Sequence, residues 1–173
     1  KYRIPYSEIK KYLQGREETR AVIYARVSSA DQREDLERQV NYLTNYATAK
    51  GYKVVEVIKD IASGLNTQRK GLLRLFKLVE GRSVDVVLLT YKDRLTRFGF
   101  EYLEEFFSTM GVRIEVVFGE EPNTRELVED LISIITSFAG KIYGMRSHKK
   151  TVLVQGVKEL MGELSGEDSE VKG

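Results

Sequence analysis

The 173-residue sequence has no cysteine, a single histidine and no long apolar run. Without cysteine, disulfides, thiolate metal sites and cysteine nucleophiles are all excluded. No apolar stretch approaches the roughly 20 residues that span a bilayer, and the charged start lacks the apolar region of a signal peptide. We therefore expect a soluble, cytoplasmic protein with no membrane partner.

The lone histidine, His148, excludes further classes of enzyme. It lies at the far end of a long helical pattern, away from the polar clusters described below, so a Ser-His-Asp triad is not expected. No His/Cys spacing typical of a metal site occurs. The glycine patterns of Walker loops and Rossmann dinucleotide sites are also missing. The sequence therefore predicts no metal and no cofactor.

Charge is nearly balanced overall but unevenly distributed. The chain has 28 Lys and Arg against 26 Asp and Glu, a formal net charge of +2. Residues 59–97 contain nine basic and four acidic side chains, whereas residues 101–130 contain two basic and nine acidic ones. This asymmetry predicts one basic and one acidic face, which net charge alone would not reveal.

Strand and helix patterns alternate along the chain. Runs of β-branched and aromatic residues predict four strands, at 20–27, 53–61, 84–90 and 112–118. Helical patterns lie between them, the first running from a capping box of Ser29 and Gln32 to Gly51. This alternation predicts an α/β domain in three layers, with a central, mainly parallel sheet flanked by helices.

A further helical pattern covers residues 124–150. Its apolar side chains recur every three or four positions and are Leu127, Leu131, Ile134, Ile135, Phe138 and Ile142. One helix of this length would extend about 40 Å, more than the domain needs to cover its core. We expect a long oligomerisation helix, followed by a polar tail that is disordered after about residue 165.

Two short motifs place a serine and several arginines at one edge of the predicted sheet. In YARVSS (24–29), Arg26 and Ser28 share one face at the end of the first strand. In DRLTR (93–97), Arg94 and Arg97 follow the third strand directly. Because α/β sheets bind ligands at the carboxyl ends of their strands, these side chains are candidates for one site.

A third motif, QRKG (68–71), places Arg69 and Lys70 at a helix start. Cations are unfavourable there, which indicates an anion bound to the free backbone N–H groups. A serine hydroxyl among arginines suits attack on a phosphodiester, since guanidinium groups hold developing phosphate charge through paired hydrogen bonds.

Taken in order, these motifs resemble the resolvase/invertase family of serine recombinases. The resemblance covers roughly residues 20–150 and rests on Y-A-R-V-S, Gln39, S-G followed by R-K-G-L, and D-R-L-x-R. It implies that Ser28 is the nucleophile. It also implies an active site that contains Arg26, Gln39, Arg69, Lys77, Asp93, Arg94 and Arg97.

The resemblance implies a reaction on double-stranded DNA without a cofactor. Ser28 would attack a backbone phosphate to give a 5′-phosphoserine link and a free 3′-hydroxyl, within a homodimer that pairs into a synaptic homotetramer. Three arginines would contact the scissile phosphate, with Asp93 orienting them; they are Arg26, Arg69 and Arg94. The basic helix end would meet DNA phosphates through Arg146, Lys149 and Lys150.

Four segments are expected along the chain. Residues 1–18 resemble the end of a MerR-like helix-turn-helix domain or a linker, and 19–123 form the catalytic domain. The long helix occupies 124–150, and 151–173 form a C-terminal extension. This order, with a DNA-binding domain before the catalytic domain, resembles that of the serine transposases of small insertion sequences. We therefore predict an enzyme, associated with the nucleoid, that moves such an element.

Two other functions remain open from the residues alone. A metal-dependent nuclease or transposase could use Asp60, Asp85 and Asp93, although Asp85 opens the strand whose other end leads to Asp93. A non-catalytic, DNA-bound dimerisation module is the other alternative.

Overall fold

The computed structural model describes residues 5–6, 18–119, 124–142 and 147–166. The chain divides into two compact units, Lys1–Glu120 and Glu121–Gly173. The strands of the first unit are β1 (Arg20–Val27), β2 (Lys53–Ile61), β3 (Val86–Leu89) and β4 (Arg113–Val116). Its helices are α1 (Arg33–Lys50), α2 (Lys70–Glu80), the short α3 (Lys92–Leu95) and α4 (Phe100–Thr109).

The four strands form a parallel sheet in the order β2-β1-β3-β4. This confirms the predicted parallel sheet. β1 is central, and all its residues from Ala21 to Val27 are buried because helices cover both faces of the sheet. In the β1–β2 register Arg26 lies opposite Asp60, so both side chains are near the carboxyl edge.

Helices cover the two faces of the sheet separately. On one face, Leu43 and Ala47 of α1 pack against Ala21 and Ile23 of β1. On the other, α2 and α4 contribute leucine and phenylalanine side chains to the larger core cluster, which includes Tyr24. The three-layer arrangement is therefore confirmed.

The start and end of α1 follow local sequence signals. Ser29 and Gln32 form the expected capping box, but it opens a short 3-10 turn at Ala30–Gln32 rather than the α-helix itself. The helix ends at Gly51, whose φ of 73° is accessible to glycine at little cost.

The second unit differs from the single long helix that the sequence predicts. α5 covers Thr124–Ile142, and a second helix, α6, covers Ser147–Gly166 and packs against α5. Gly140 and Gly144 weaken the intrinsic helix propensity of this part of the sequence. The expected polar extension is thus helical to Gly166, while its last seven residues lie outside the described part of the chain.

None of the helices in the described ranges is both long enough and apolar enough to cross a membrane.

Candidate active site

Ser28 follows the last residue of β1 and is held by a side chain from the next turn. The Oε1 atom of Gln32 accepts hydrogen bonds from the backbone N–H groups of Ser28 and Ser29, at 3.1 and 3.2 Å. The hydroxyl of Ser29 bonds to Asp31 within the same turn. Ser28 Oγ instead accepts a hydrogen bond from Nη1 of Arg26, at 3.3 Å. The two serines therefore have different contacts: Ser29 belongs to the capping box, and the Ser28 hydroxyl contacts Arg26.

Arg26 is completely buried and joins Ser28 to two neighbouring segments. Its Nη1 also donates to the carbonyl of Ala62 after β2, at 3.0 Å. Its Nε and Nη2 donate to the carbonyls of Arg94 and Asp93, at 3.1 and 2.7 Å. A guanidinium group at the end of the central strand thus organises the backbone around the serine.

Asp93 lies between two arginines of the DRLTR motif. Its Oδ2 accepts a hydrogen bond from Nη1 of Arg97 at 3.0 Å, and its Oδ1 is 3.5 Å from Nε of Arg94. Nη1 of Arg94 donates to the carbonyl of Arg26 at 3.0 Å. All three side chains are largely buried. The hydrogen bond from Arg94 to Arg26 shows that the short helix α3 places Arg94 beside the end of β1.

Arg69 precedes α2 and reaches the same region from the other side. Its Nε donates to the carbonyl of Asn66 at 2.8 Å, and its Nη2 donates to the carbonyl of Leu95. Its Nη1 donates to the hydroxyl of Tyr24 at 2.8 Å. The structure thus brings together Ser28, Arg26, Arg69, Asp93, Arg94 and Arg97, which we call the arginine cluster.

Tyr24 and Asp60 also belong to this region, although the sequence predicts no role for Tyr24 and indicates Asp60 only as a candidate metal ligand. The Tyr24 hydroxyl donates to Oδ2 of Asp60 at 2.7 Å while accepting from Arg69. Burial raises the pKa of Tyr24 above its usual range, Arg69 opposes the shift and Asp60 adds to it, so the phenol stays protonated. The signal was available, since Tyr24 precedes Arg26 by two residues on the same strand and so shares its face.

The anion expected at the start of α2 is a carboxylate of the protein itself. Both oxygens of Asp60 accept backbone hydrogen bonds there, from Gly71 and Leu72 at 2.9 Å each. A Cβ atom at position 71 would lie 2.6 Å from these oxygens. The glycine of the QRKG motif is therefore required for Asp60 to approach, and the expectation that these N–H groups bind an external anion is corrected.

The structure does not bring every expected residue to the cluster. Gln39 is buried, but its amide bonds to the backbone N–H and carbonyl of Arg26, at 3.2 and 3.0 Å, and extends the hydrogen bonding of β1. Lys77 is exposed and lies about 12 Å along α2 from Arg69. Arg146 lies outside the described residues, as do the side chains of Ile142, Lys149 and Lys150.

The three carboxylates of the metal-dependent alternative do not converge. Asp60 bonds to α2 and Asp93 to arginines, whereas Asp85 lies at the opposite edge of the sheet and pairs with Arg20 at 3.1 Å. Within the described ranges no group of three or more His, Cys, Asp or Glu side chains could hold a metal ion. The geometry therefore disfavours that alternative.

Comparison with known families identifies this arrangement. The family described as the resolvase N-terminal domain matches residues 21–155. This chain belongs to the resolvase family. The match includes the arginine cluster and all of the sheet except Arg20. The chain is therefore a serine recombinase, an enzyme class that cuts and rejoins DNA.

Solved structures and a viral relative agree with this assignment. The catalytic domain of ISC1926 TnpA, an IS607-like serine recombinase, is 89% identical, with a TM-score of 0.76 over 83% of this chain and 99% of that one. A serine recombinase from Sulfolobus solfataricus is 46% identical, with a TM-score of 0.69 over 85% and 99%. A protein of Acanthamoeba polyphaga mimivirus, named as resolvase L103, is 40% identical over 76% of this chain and 68% of its own length. The chain spans about two thirds of the length of such viral relatives.

Proposed function

We propose that this recombinase cuts DNA with Ser28 as its nucleophile and keeps the broken strand as a 5′-phosphoserine ester. The observation that carries the proposal is the contact of Ser28 Oγ with the guanidinium of buried Arg26, at the carboxyl edge of the central strand.

The proposed step exchanges one phosphodiester for another. The oxygen of Ser28 bonds to phosphorus and loses its proton, while the bond to the 3′-oxygen breaks and that oxygen takes up a proton. The number of phosphoester bonds is unchanged, so the reverse attack by a 3′-hydroxyl rejoins the strand without ATP. Catalysis of this kind depends mainly on positioning and on stabilising charge.

The arginine cluster supplies that charge. In the first unit, four buried or nearly buried guanidinium groups lie beside the two carboxylates of Asp60 and Asp93. Most donors of Arg26 and Arg69 are used by backbone carbonyls. For these two arginines to contact a phosphate directly, some of their hydrogen bonds to backbone carbonyls would have to be replaced by bonds to the phosphate. Their positive charge stabilises the phosphate with or without that replacement.

The wider role that we propose is movement of an insertion sequence. Its support is the 89% identity to a domain described as belonging to an IS607-like serine recombinase. We propose that the enzyme acts in the cytoplasm, on the DNA of the nucleoid. A homodimer and a synaptic homotetramer, built through α5, would hold the four ends that cutting two duplexes creates.

The test is the formation of a covalent protein–DNA adduct. DNA from the ends of its element, nicked so that the cut strand cannot be rejoined, is incubated with the wild type, Ser28→Ala and Ser29→Ala. The wild type and Ser29→Ala should form an adduct that survives denaturation and maps to Ser28 by mass spectrometry, also in EDTA. Ser28→Ala should form none.

Two results would refute this assignment. One is an adduct of normal yield with Ser28→Ala, which would mean that another residue attacks. The other is a strict requirement for Mg²⁺, which would return the carboxylate mechanism to consideration.

A further inference from the structure

A cleft of about 410 Å³ lies beside the arginine cluster and has no part in the proposed chemistry. Its walls come from the loop between β2 and α2, from α2, from the loop between α3 and α4, and from α4 itself. The lining residues are Gly64, Leu65, Thr67, Arg69, Leu72, Phe76, Thr96, Phe98, Gly99 and Leu103. The same two loops carry Arg69 and Arg97, so the cleft and the cluster share one framework.

The lining chemistry restricts what the cleft can bind. Arg69 is its one charged lining residue, which makes a cationic ligand unfavourable. Leucine and phenylalanine make up half of the lining residues, and Phe98 is 57% exposed although it is a large apolar side chain. Such a surface favours a flat, uncharged ring, because rings stack on aromatic side chains.

Arg69 gives the cleft positive charge and not a stacking face. Its N–H groups donate to three backbone carbonyls and to the Tyr24 hydroxyl, and the residue is only 3% exposed. The surface on which a ring can stack is therefore that of Phe98, while the buried guanidinium favours a ligand that belongs to an anionic chain.

We propose that this cleft binds a nucleobase of the DNA strand, unstacked next to the phosphate that Ser28 attacks. The inference rests on the proposed function, which places that phosphate at the arginine cluster. Exchange of strands requires bases beside the break to leave their old duplex, and a cleft continuous with the cluster would hold one of them. Binding of this kind is tolerant of sequence, because every base has a flat face.

The experiment measures base binding without any cleavage. Fluorescence anisotropy compares a labelled 12-nucleotide oligothymidylate with an abasic oligomer of equal length, at one salt concentration, on the 173-residue protein. Phe98→Ala should weaken binding of oligothymidylate about tenfold, as expected for one lost stacking contact. It should leave binding of the abasic oligomer unchanged.

Two further variants control the result. Tyr102→Ala removes a neighbouring aromatic side chain that is 83% exposed and does not line the cleft, and it should bind both oligomers like the wild type. Thr67→Leu, from the exposed rim, should narrow the cleft without adding a ring and repeat the selective loss. Thermal melting of each variant verifies folding.

Several outcomes would overturn the proposal. Unchanged binding by Phe98→Ala would exclude the cleft, and equal losses on both oligomers would assign Phe98 to backbone contact. Equal losses with Tyr102→Ala would indicate a general surface effect. Reduced self-association with unchanged base binding would assign the cleft to a second copy of the chain. Since no strand is cut, these outcomes are independent of the test of Ser28.

Discussion

Gly71 and Asp60 show how one missing side chain supports the arginine cluster. Asp60 bonds to the first turn of α2 and to Tyr24, and Tyr24 in turn accepts a hydrogen bond from Arg69. These contacts place the carboxylate oxygens 2.6 Å from where a Cβ at position 71 would be. The glycine therefore supports Arg69 indirectly, through Asp60 and Tyr24.

We predict that Gly71→Ala lowers the free energy of unfolding by about 2–4 kcal/mol, because the carboxylate must move and lose backbone hydrogen bonds. Urea denaturation measures the change. In a double-mutant cycle the same alanine should cost at least about 1 kcal/mol less when Asp60 is already alanine. Additive losses would mean that the two positions do not act through this contact.

Some of these residues could be predicted and others could not. Strand alternation and the position after β1 were enough to pair Arg26 with Ser28. Asp60 could not be assigned, because its contacts depend on β2 lying next to β1, and strand order is not visible in local patterns. Gln39 was identified as a site residue by resemblance, whereas its contacts are with the backbone of β1.

At the scale of elements, β1 and β3 are joined at their amino ends by Arg20 and Asp85. The backbone N–H of Arg20 donates to Asp85 at 2.8 Å, and its guanidinium adds two further bonds. The pKa of Asp85 is lowered most by the side-chain hydrogen bonds from Arg20 and next by the backbone hydrogen bond. The pair connects the two central strands at the edge opposite the cluster.

This arrangement predicts a specific dependence of stability on pH. Because the folded pKa of Asp85 lies below its unfolded value of about 3.9, its contribution is present above pH 4 and is lost as the pH falls through the folded pKa. Urea midpoints should therefore fall more steeply between pH 4 and pH 3 for the wild type than for Asp85→Asn. Both side chains are about 40% exposed, so the difference should be small. Parallel curves would contradict the prediction.

The elements themselves were largely predictable. β1 and β2 have the predicted bounds, whereas β3 and β4 are shorter than the predicted 84–90 and 112–118. The larger difference is in the second unit. The apolar stripe of 124–150 does not reveal that α5 ends at Ile142, since helical periodicity continues through glycines. Whether a helix continues or turns back depends on packing, here of α6 on α5.

For the molecule as a whole, the second unit is the candidate surface for assembly. Phe138 is 58% exposed, and it borders a cavity of about 370 Å³ whose lining is apolar; the other lining residues are Ile134, Ile135, Ala139 and Leu153. An exposed apolar surface of this kind is typical of protein–protein contacts.

We predict that Phe138→Glu weakens self-association at least about 100-fold, since an unpaired charge buried in an interface costs several kcal/mol. Analytical ultracentrifugation measures the change, and circular dichroism verifies that the helices remain. Tyr102→Glu, which adds the same charge to an exposed aromatic position of the first unit, should associate like the wild type. A monomeric wild type, or unaltered association of Phe138→Glu, would show that this surface is not the contact.

The contact between Asp60 and Gly71 also constrains how this sequence can diverge. A side chain at position 71 fits only where position 60 no longer carries a carboxylate in this place. The two positions, eleven residues apart, should therefore covary among relatives. A gene copy with a bulky residue at 71 beside a retained aspartate at 60 would encode a strained domain, so these two codons alone would identify a copy whose product folds poorly.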